Sequence, residues 1–198
     1  MDLMPGGDLR YHIQRARSQI PMDQAQFFIA CLIQALEDVH RQGVIHLDVK
    51  PSSLIFESTG YTKLTNFGLA QKKRAINYAF GNNEKNLVTQ WTAPEVVTSS
   101  KGFSFEADYW SVGVVAYQLM LGGDLPFIGK DFDEVKQAHA SHDICLKTSD
   151  VPVGWSWQAA DFINKCLQKR PEKRIGIHRG SKELKQHPWF DDFDWQAL

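Results

Sequence analysis

An apolar stripe with helical spacing constrains the fold of this chain more than any other pattern in its sequence. The stripe consists of residues at steps of three and four positions, namely Phe28, Leu32, Ala35, Leu36 and Val39. Such spacing predicts a helix that buries one face. Pro21 precedes the stripe, and Gly43 follows a short cationic turn, which is the usual order at the end of a helix.

Five further segments show helical patterns, and together they predict a single, mostly helical domain. A short helix begins after Asp8, a capping residue, and reaches about residue 18. Three others cover residues 106–121, about 132–140 and 156–167, and Ser181 is the predicted cap of a last helix that ends near residue 187. With 43% hydrophobic and 23% charged residues, the composition is that of a globular chain rather than a disordered one.

Short strand-like segments follow the apolar stripe. Residues 44–45 and 54–56 are apolar, residues 58–60 form a turn signal, and residues 61–65 resemble a strand. These segments predict a small β-hairpin. Residues 66–92 show no clear period, and a loop of this length in a compact domain is usually functional or disordered.

The charge balance argues against nucleic acid and membrane partners. Lys and Arg number 22 and Asp and Glu number 23, so the formal net charge is −1 and there is no basic excess. The longest apolar stretch, residues 112–121, has about half the length that a bilayer requires, and the N-terminus lacks the pattern of a signal peptide. Because the three cysteines are widely spaced, we expect buried, reduced thiols in an intracellular, cytoplasmic protein.

Five motifs in a fixed order resemble those of the eukaryotic protein kinases. Residues 46–53 read H-L-D-V-K-P-S-S, which is similar to the catalytic-loop pattern H-R-D-L-K-x-x-N. Residues 66–68 read N-F-G in the place of D-F-G, residues 93–95 match A-P-E, and residues 108–113 match D-x-W-S-x-G. Arg174 lies where the family carries a late arginine. Because all five occur in order and at family spacing, the chain is identified as a member of this family.

The resemblance implies a mainly α fold, that of the C-terminal lobe of a protein kinase: a helical bundle with a small β-hairpin at the catalytic loop. It extends over residues 1–198, with the hinge at 1–7, the catalytic loop at 46–54 and the activation segment at 66–95. The family's glycine-rich loop, its strand lysine and the glutamate that pairs with this lysine are not found in this sequence. We therefore expect a C-lobe without its N-lobe.

The resemblance also narrows the group within the family. Lys50, two residues after Asp48, is similar to Ser/Thr kinases, whereas the sequence W-T-A-P-E at residues 91–95 is similar to tyrosine kinases. The tail, residues 174–195, resembles the cyclic-nucleotide-regulated (AGC) group, and residues 7–12 are similar to its YANK branch. These features imply an AGC-like Ser/Thr kinase family member.

Two residues match the family's catalytic positions. Asp48 matches the aspartate that accepts the proton of the substrate hydroxyl, and Lys50 matches the lysine that contacts the transferring phosphate. The alternative for Asp48 is a structural role in capping its loop. Leu47 replaces the arginine that would read a phosphate on the activation loop. Val88 or Thr89 falls where the family has a substrate-positioning threonine, and the alignment leaves both open.

The family's two magnesium ligands, an aspartate and an asparagine, are replaced here by Asn66 and Ser53. Because Mg²⁺ favours carboxylate oxygens, we expect no metal site in this chain. A retained general base contributes about 10²- to 10⁴-fold, and electrostatic stabilisation is usually the larger contribution. The rate enhancement lost with the metal is therefore larger than the rate enhancement that Asp48 retains as a general base.

The resemblance places half of an ATP site on this chain. The backbone of Asp2 and Met4 at the hinge, Asp8 near the ribose and Ile55 beneath the adenine ring are the implied contacts. For Ile55, a plain core role is an equally good interpretation. ATP and Mg²⁺ are the family's cofactors, but without an upper lobe we expect ATP binding by this chain to be weak or absent.

The residues that hold the lobe together match the family pattern. His46 and Phe67 match a buried spine, Glu95 and Arg174 match a buried ion pair, and Asp108 matches the residue that braces the catalytic loop. The sequence therefore keeps the scaffold and loses the metal ligands.

Three hypotheses follow. The first is a catalytically impaired pseudokinase or kinase fragment that acts by binding protein partners. The second is an active Ser/Thr protein kinase that transfers the ATP γ-phosphate to protein hydroxyls, with its N-lobe missing from this chain. The third is a truncated gene product that does not fold stably.

Overall fold

The computed structural model describes residues 4–16, 19–73, 87–98 and 102–198. Its helices are α1 Leu9–Ala16, α2 Met22–Arg41, α3 Pro94–Thr98, α4 Glu106–Met120, α5 Phe132–Ser141, α6 Trp157–Cys166 and α7 Ser181–Lys185. Its strands are β1 Val44–Ile45, β2 Leu54–Phe56, β3 Thr62–Leu64 and β4 Gln71–Lys72. This mostly helical architecture confirms the expected fold class.

Helix α4 is the centre of the core, since it packs against both α2 and α6. Its residues from Ala107 to Ala116 are all buried, so this helix is surrounded by protein on every side. Gly113 permits the contact with α6, because a Cβ at this position would lie 2.5 Å from the Cβ of Cys166. A helix buried on all faces is typical of the centre of a helical domain.

Helix α2 confirms the predicted segment between Pro21 and Gly43, but its buried face differs in part from the predicted stripe. Leu32 and Leu36 are fully buried. Phe28, Ala35 and Val39 are only partly buried. The buried face of the helix includes other residues instead, namely Ala25, Ile29, Ala30, Cys31, Ile33 and His40.

The predicted hairpin is present as β2 and β3, which pair antiparallel with Leu54 opposite Leu64. The apolar pair Val44–Ile45 does not join this hairpin. It pairs instead with Gln71–Lys72 in a second two-stranded sheet. This pairing lies partly in the segment predicted to be irregular, residues 66–92, of which residues 74–86 lie outside the described ranges.

Of the two helix caps predicted from the sequence, Asp8 is confirmed and Ser181 is not. Asp8 Oδ1 accepts a hydrogen bond from Tyr11 N at 2.7 Å and caps α1, whose predicted end near residue 18 lies outside the described residues. Ser156 caps α6 and Asp131 caps α5. The prediction for Ser181 is wrong: it is the first residue of α7, and its hydroxyl lies 3.1 Å from that of Tyr109.

Two further features depart from the predictions. The sequence does not predict helix α3, because five residues are too few to show a period. Cys31 and Cys166 are buried and unpaired as expected, whereas Cys145 is exposed, because it lies in an extended surface segment between α5 and α6. Within the described ranges, no helix combines the length and the apolar character needed to cross a bilayer.

Candidate catalytic site

The loop between β1 and β2 is held in an unusual backbone conformation by α4. Leu47 has a φ of 64°, a left-handed conformation that is costly for a residue with a branched apolar side chain. The carboxylate of Asp108 accepts hydrogen bonds from the backbone N–H groups of His46 at 2.9 Å and of Leu47 at 2.8 Å. Asp108 therefore braces this loop in the way that the sequence predicted.

A buried histidine that the sequence analysis missed supports this brace. His40 Nε2 lies 2.7 Å from Asp108 Oδ2, and His40 Nδ1 lies 3.2 Å from the hydroxyl of Tyr109. Burial raises the pKa of Tyr109 to about 12. Its hydroxyl therefore keeps its proton and can donate a hydrogen bond to His40 Nδ1. In the sequence, His40 shows only as a member of a cationic last turn, which gives no sign of this role.

The ring of His46 connects the loop to the segment after β3. Its Nδ1 accepts a hydrogen bond from Asp48 N at 3.2 Å, and its Nε2 lies 2.9 Å from the carbonyl oxygen of Thr65. Since a carbonyl can only accept, the proton is on Nε2. The buried His46 matches the expected spine, but Phe67 does not: its ring packs edge-on against His46, yet 48% of the residue is exposed, because its other side lies at the surface of the described residues.

The structure brings Asp48, Lys50 and Asn66 together. Asp48 is 8% exposed. Its Oδ1 lies 2.7 Å from Lys50 Nζ, and its Oδ2 accepts a hydrogen bond from Asn66 Nδ2 at 2.5 Å. An ionised carboxylate only accepts hydrogen bonds, so the amide of Asn66 must present its nitrogen rather than its oxygen.

Ser53 is fully buried and is bonded to the backbone of Asp48. Its hydroxyl donates to the backbone carbonyl of Asp48 at 2.7 Å, and its own carbonyl accepts from Thr65 N at 2.8 Å. The side chain of Ser53 therefore holds the shape of the loop.

These residues do not fit a magnesium ion held at the family's two positions. Mg²⁺ requires oxygen ligands, but Asn66 presents an N–H to Asp48, and the hydroxyl of Ser53 is used by the backbone. Across the described parts of the chain, no group of three or more His, Cys, Asp or Glu side chains could hold a metal ion.

Of the four residues expected around ATP, the structure brings two into direct backbone contact. Asp8 forms an antiparallel bridge with Ile55, which is partly buried. Gly6 allows this approach, because a Cβ there would lie 2.5 Å from the Cβ of Phe56. Met4 is partly buried at the start of the same segment, and Asp2 lies outside the described residues.

Two further predicted features concern the activation segment. The side chains of Glu95 and Arg174 form a buried ion pair with two parallel hydrogen bonds, as the sequence predicted. Of the two candidates for a substrate-positioning residue, Val88 belongs to a small apolar cluster. Thr89 contacts Thr92 instead: its hydroxyl lies 3.4 Å from that of Thr92, and its backbone N–H donates to the same hydroxyl at 2.9 Å.

A cavity of about 450 Å³ opens beside the loop, next to Pro51. It is lined by residues of α1, of the end of α4 and of the activation segment, namely Arg10, Ile13, Gln14, Trp91, Gln118, Gly122, Gly123 and Asp124. The side chain of Gln118 is already satisfied, because it accepts from Trp91 Nε1 at 2.8 Å and donates to the carbonyl of Gly123 at 3.2 Å. Among the residues that line the cavity, Arg10 and Asp124 carry the charged side chains.

A mostly helical lobe with a braced Asp-x-Lys loop and a buried Glu–Arg pair has the architecture of the C-terminal lobe of a protein kinase. Comparison with known proteins agrees, since the family profile of the protein kinase domain matches residues 1–190. Serine/threonine-protein kinase sck2 of Schizosaccharomyces pombe is 32% identical over 200 residues, which cover 100% of this chain and 29% of that protein. Serine/threonine-protein kinase N3 of Mus musculus is 34% identical over 202 residues, which cover 100% of this chain and 21% of that protein. cGMP-dependent protein kinase 2 of Homo sapiens is 31% identical, over 98% of this chain and 24% of its own length.

The chain belongs to the protein kinase family. These relatives are Ser/Thr kinases of the AGC group, which confirms the predicted group. The finer similarity to the YANK branch stays a prediction. The chain spans less than a third of the length of these curated relatives.

Proposed function

We propose that this chain is a Ser/Thr kinase family protein with impaired metal-dependent phosphoryl transfer, and that it acts by binding a protein partner. One observation carries this proposal: the candidate base Asp48 is bound by Lys50 and by the amide of Asn66, where the family has a metal-ligating carboxylate. The family generally uses ATP and Mg²⁺. Here the residues at its metal positions offer an N–H donor and a hydroxyl used by the backbone.

The size of the contribution that a bound metal makes to phosphoryl transfer supports the proposal that this activity is impaired. Phosphoryl transfer depends mainly on positioning and on neutralising the charge of the phosphates. We propose that Asp48 and Lys50 retain the family's hydroxyl-orienting and phosphate-contacting roles. A general base alone contributes about 10²- to 10⁴-fold, and the electrostatic contribution that would come from the metal is usually larger.

The same proposal assigns the parts of the chain. Residues 1–198 form the C-lobe portion of a kinase domain, with the hinge at 1–7, the catalytic loop at 46–54 and the activation segment at 66–95. Weak ATP contacts would come from the hinge backbone at Asp2 and Met4, from Asp8 and from Ile55. The unpaired cysteines support an intracellular, cytoplasmic protein.

The cavity beside Pro51 is the surface that we propose for the partner. It adjoins the candidate catalytic loop and combines the cation of Arg10, the carboxylate of Asp124 and the aromatic ring of Trp91. Exchanging the two charges with Arg10→Glu and Asp124→Lys should abolish binding of a partner that uses this surface. A partner that binds both proteins equally would place the interface elsewhere.

A second candidate function is active Ser/Thr phosphotransfer. The close approach of Lys50 Nζ to Asp48 Oδ1, 2.7 Å, and the intact Glu95–Arg174 pair favour it, because both belong to the family's working scaffold.

A phosphotransfer assay separates the two functions. The purified chain is incubated with radiolabelled ATP, with Mg²⁺ or Mn²⁺, and with a mixture of protein acceptors. We expect no incorporation above that of the Asp48→Asn variant. Incorporation that disappears in Asp48→Asn would establish the second function and end the proposal of impairment.

A further inference from the structure

The contact between Asp48 and Asn66 has an unusual arrangement of burial. Asp48 is 8% exposed, whereas Asn66 is exposed and covers the carboxylate from the solvent side. The backbone of Asn66 has a φ of 68°, a left-handed conformation that asparagine tolerates better than most other residues. Residue 66 is thus suited both to its backbone position and to donation of an N–H to Asp48 Oδ2 at 2.5 Å.

The charges around Asp48 balance without a metal ion. A buried carboxylate is costly unless it is paired and hydrogen-bonded. Here Lys50 supplies one positive charge at 2.7 Å from Oδ1, and Asn66 supplies a neutral donor to Oδ2. Each carboxylate oxygen therefore has a partner, and the net charge of the three side chains is zero.

An aspartate at position 66 would reverse this balance. It would place a second carboxylate within hydrogen-bond distance of the first, with one lysine to balance two negative charges. Like charges at this separation repel, and a hard divalent cation with oxygen ligands would relieve the repulsion.

Resting on the proposed function, we propose that Asn66 is a positioning residue that holds Asp48 in place without a metal, so that residue 66 sets whether this site responds to divalent cations. The amide stands where the family has a metal-ligating carboxylate, and it binds Asp48 Oδ2 directly. It leaves Asp48 ordered and the site indifferent to Mg²⁺.

The test compares melting temperatures in EDTA and in Mg²⁺ or Mn²⁺ for four proteins: wild type, Asn66→Asp, Asn66→Ala and Asn164→Asp. The last is a matched control, because Asn164 is also a bonded asparagine, holding both backbone groups of Leu146, but lies on α6. We expect Asn66→Asp to melt below wild type in EDTA and to rise by about 2–4 °C with the cation. Wild type, Asn66→Ala and Asn164→Asp should show no such rise.

A second measurement uses the wild-type chain alone and does not depend on the folding of a variant. In ¹⁵N-labelled protein, Mn²⁺ should leave the amide signals of Phe67 and Gly68 unbroadened. Selective broadening of these signals in wild type, or an Asn66→Asp variant that folds but shows no response to the cation, would overturn the inference. Phosphotransfer by the wild type would instead contradict the proposed function, so the two failures are distinguishable.

Discussion

The guanidinium of Arg174 lies side by side with the carboxylate of Glu95, with Nη1–Oε1 and Nη2–Oε2 distances of 2.5 and 2.9 Å. Both side chains are buried, and Arg174 also donates to the backbone carbonyls of Glu106 and Gln168. The pair joins helix α3 to the segment after α6, so it connects the activation segment to the body of the lobe.

Removing one partner should therefore be costly. Glu95→Ala leaves the buried cation of Arg174 without its carboxylate, and loss of one partner of such a pair costs about 3–5 kcal/mol. In a chain of this size that corresponds to a fall in Tm of about 10 °C. Calorimetry of the full chain measures the change.

The exposed pair of Arg41 and Asp38 is the matched control, with an Nη1–Oδ1 distance of 2.7 Å and side chains 62% and 59% exposed. Asp38→Ala should change the stability by less than about 1 kcal/mol. If Glu95→Ala melts like Asp38→Ala, the Glu95–Arg174 pair does not hold the lobe together.

The hydrogen bonds that Asp108 accepts predict that substitutions in this network lower the stability of the protein by different amounts. Asp108→Asn replaces a carboxylate that accepts from His46 N, Leu47 N and His40 with an amide that cannot accept them all. Each buried donor left unpaired costs about 1–3 kcal/mol. Amide hydrogen exchange at His46 and Leu47 should become faster, and urea unfolding should show the loss of stability.

Tyr109→Phe removes only the far end of the same chain of hydrogen bonds, so its cost should be smaller, about 1 kcal/mol. The exchange rates of the His46 and Leu47 amides should stay close to wild type in this variant. Equal acceleration in Asp108→Asn and Tyr109→Phe would mean that the tyrosine, and not the carboxylate, controls the loop.

Helices α2 and α6 could be predicted from the sequence because their apolar residues recur at helical spacing over many positions. Helix α2 lies between Pro21 and Gly43 as predicted, and Ser156 caps α6. The pairing of β1 with β4 could not be predicted, because two-residue strands are too short to show alternation.

The candidate site could be located by motif, but its contacts could not be derived from it. The motif places Asp48, Lys50 and Asn66 in the chain, whereas the direction of the Asn66 amide depends on the folded position of the carboxylate. The role of His40 is likewise invisible in the sequence, because Asp108, its partner at 2.7 Å, lies 68 residues further along the chain. The exposure of Phe67 depends on what covers its outer side, which no local pattern records.

A buried histidine makes the stability depend on pH. His139 is 4% exposed, packs edge-on against the rings of Trp110 and Phe127, and has no hydrogen-bond partner at either ring nitrogen within the described residues. Burial, reinforced by the charges of Lys169 and Arg174, lowers the pKa of His139 from 6.5 to about 4. The folded protein therefore keeps this ring neutral.

Because the unfolded chain binds a proton at this histidine more readily than the folded one, stability falls as the pH is lowered from about 6.5 to about 4. The contribution at stake is about 3 kcal/mol. His139→Phe fills the same aromatic site without a titrating group. The difference in urea unfolding between the two proteins across this pH range therefore measures the contribution of His139 to stability. Wild type should lose stability relative to His139→Phe below pH 6.5, and parallel curves would contradict the prediction.

The close approach of Gly6 to β2 predicts that a side chain at this position would displace residues 4–8. Gly6→Ala places a Cβ 2.5 Å from Phe56 Cβ and 2.8 Å from its carbonyl oxygen, so the segment must move away from β2. This would weaken the hydrogen bond from Phe56 N to the carbonyl of Gly7, 2.9 Å in the native chain. Overpacking of this kind costs about 1–3 kcal/mol.

Gly68→Ala is the control for this variant, because the nearest atom to its added Cβ, Asn66 Oδ1, is 4.0 Å away. Hydrogen exchange at the Phe56 amide should accelerate in Gly6→Ala and remain unchanged in Gly68→Ala. The Asp8–Ile55 bridge depends on the same approach, so any residual affinity for ATP should fall in Gly6→Ala alone. Unchanged exchange at Phe56 in Gly6→Ala would mean that the segment accommodates a side chain, and that its contact with β2 does not position Asp8.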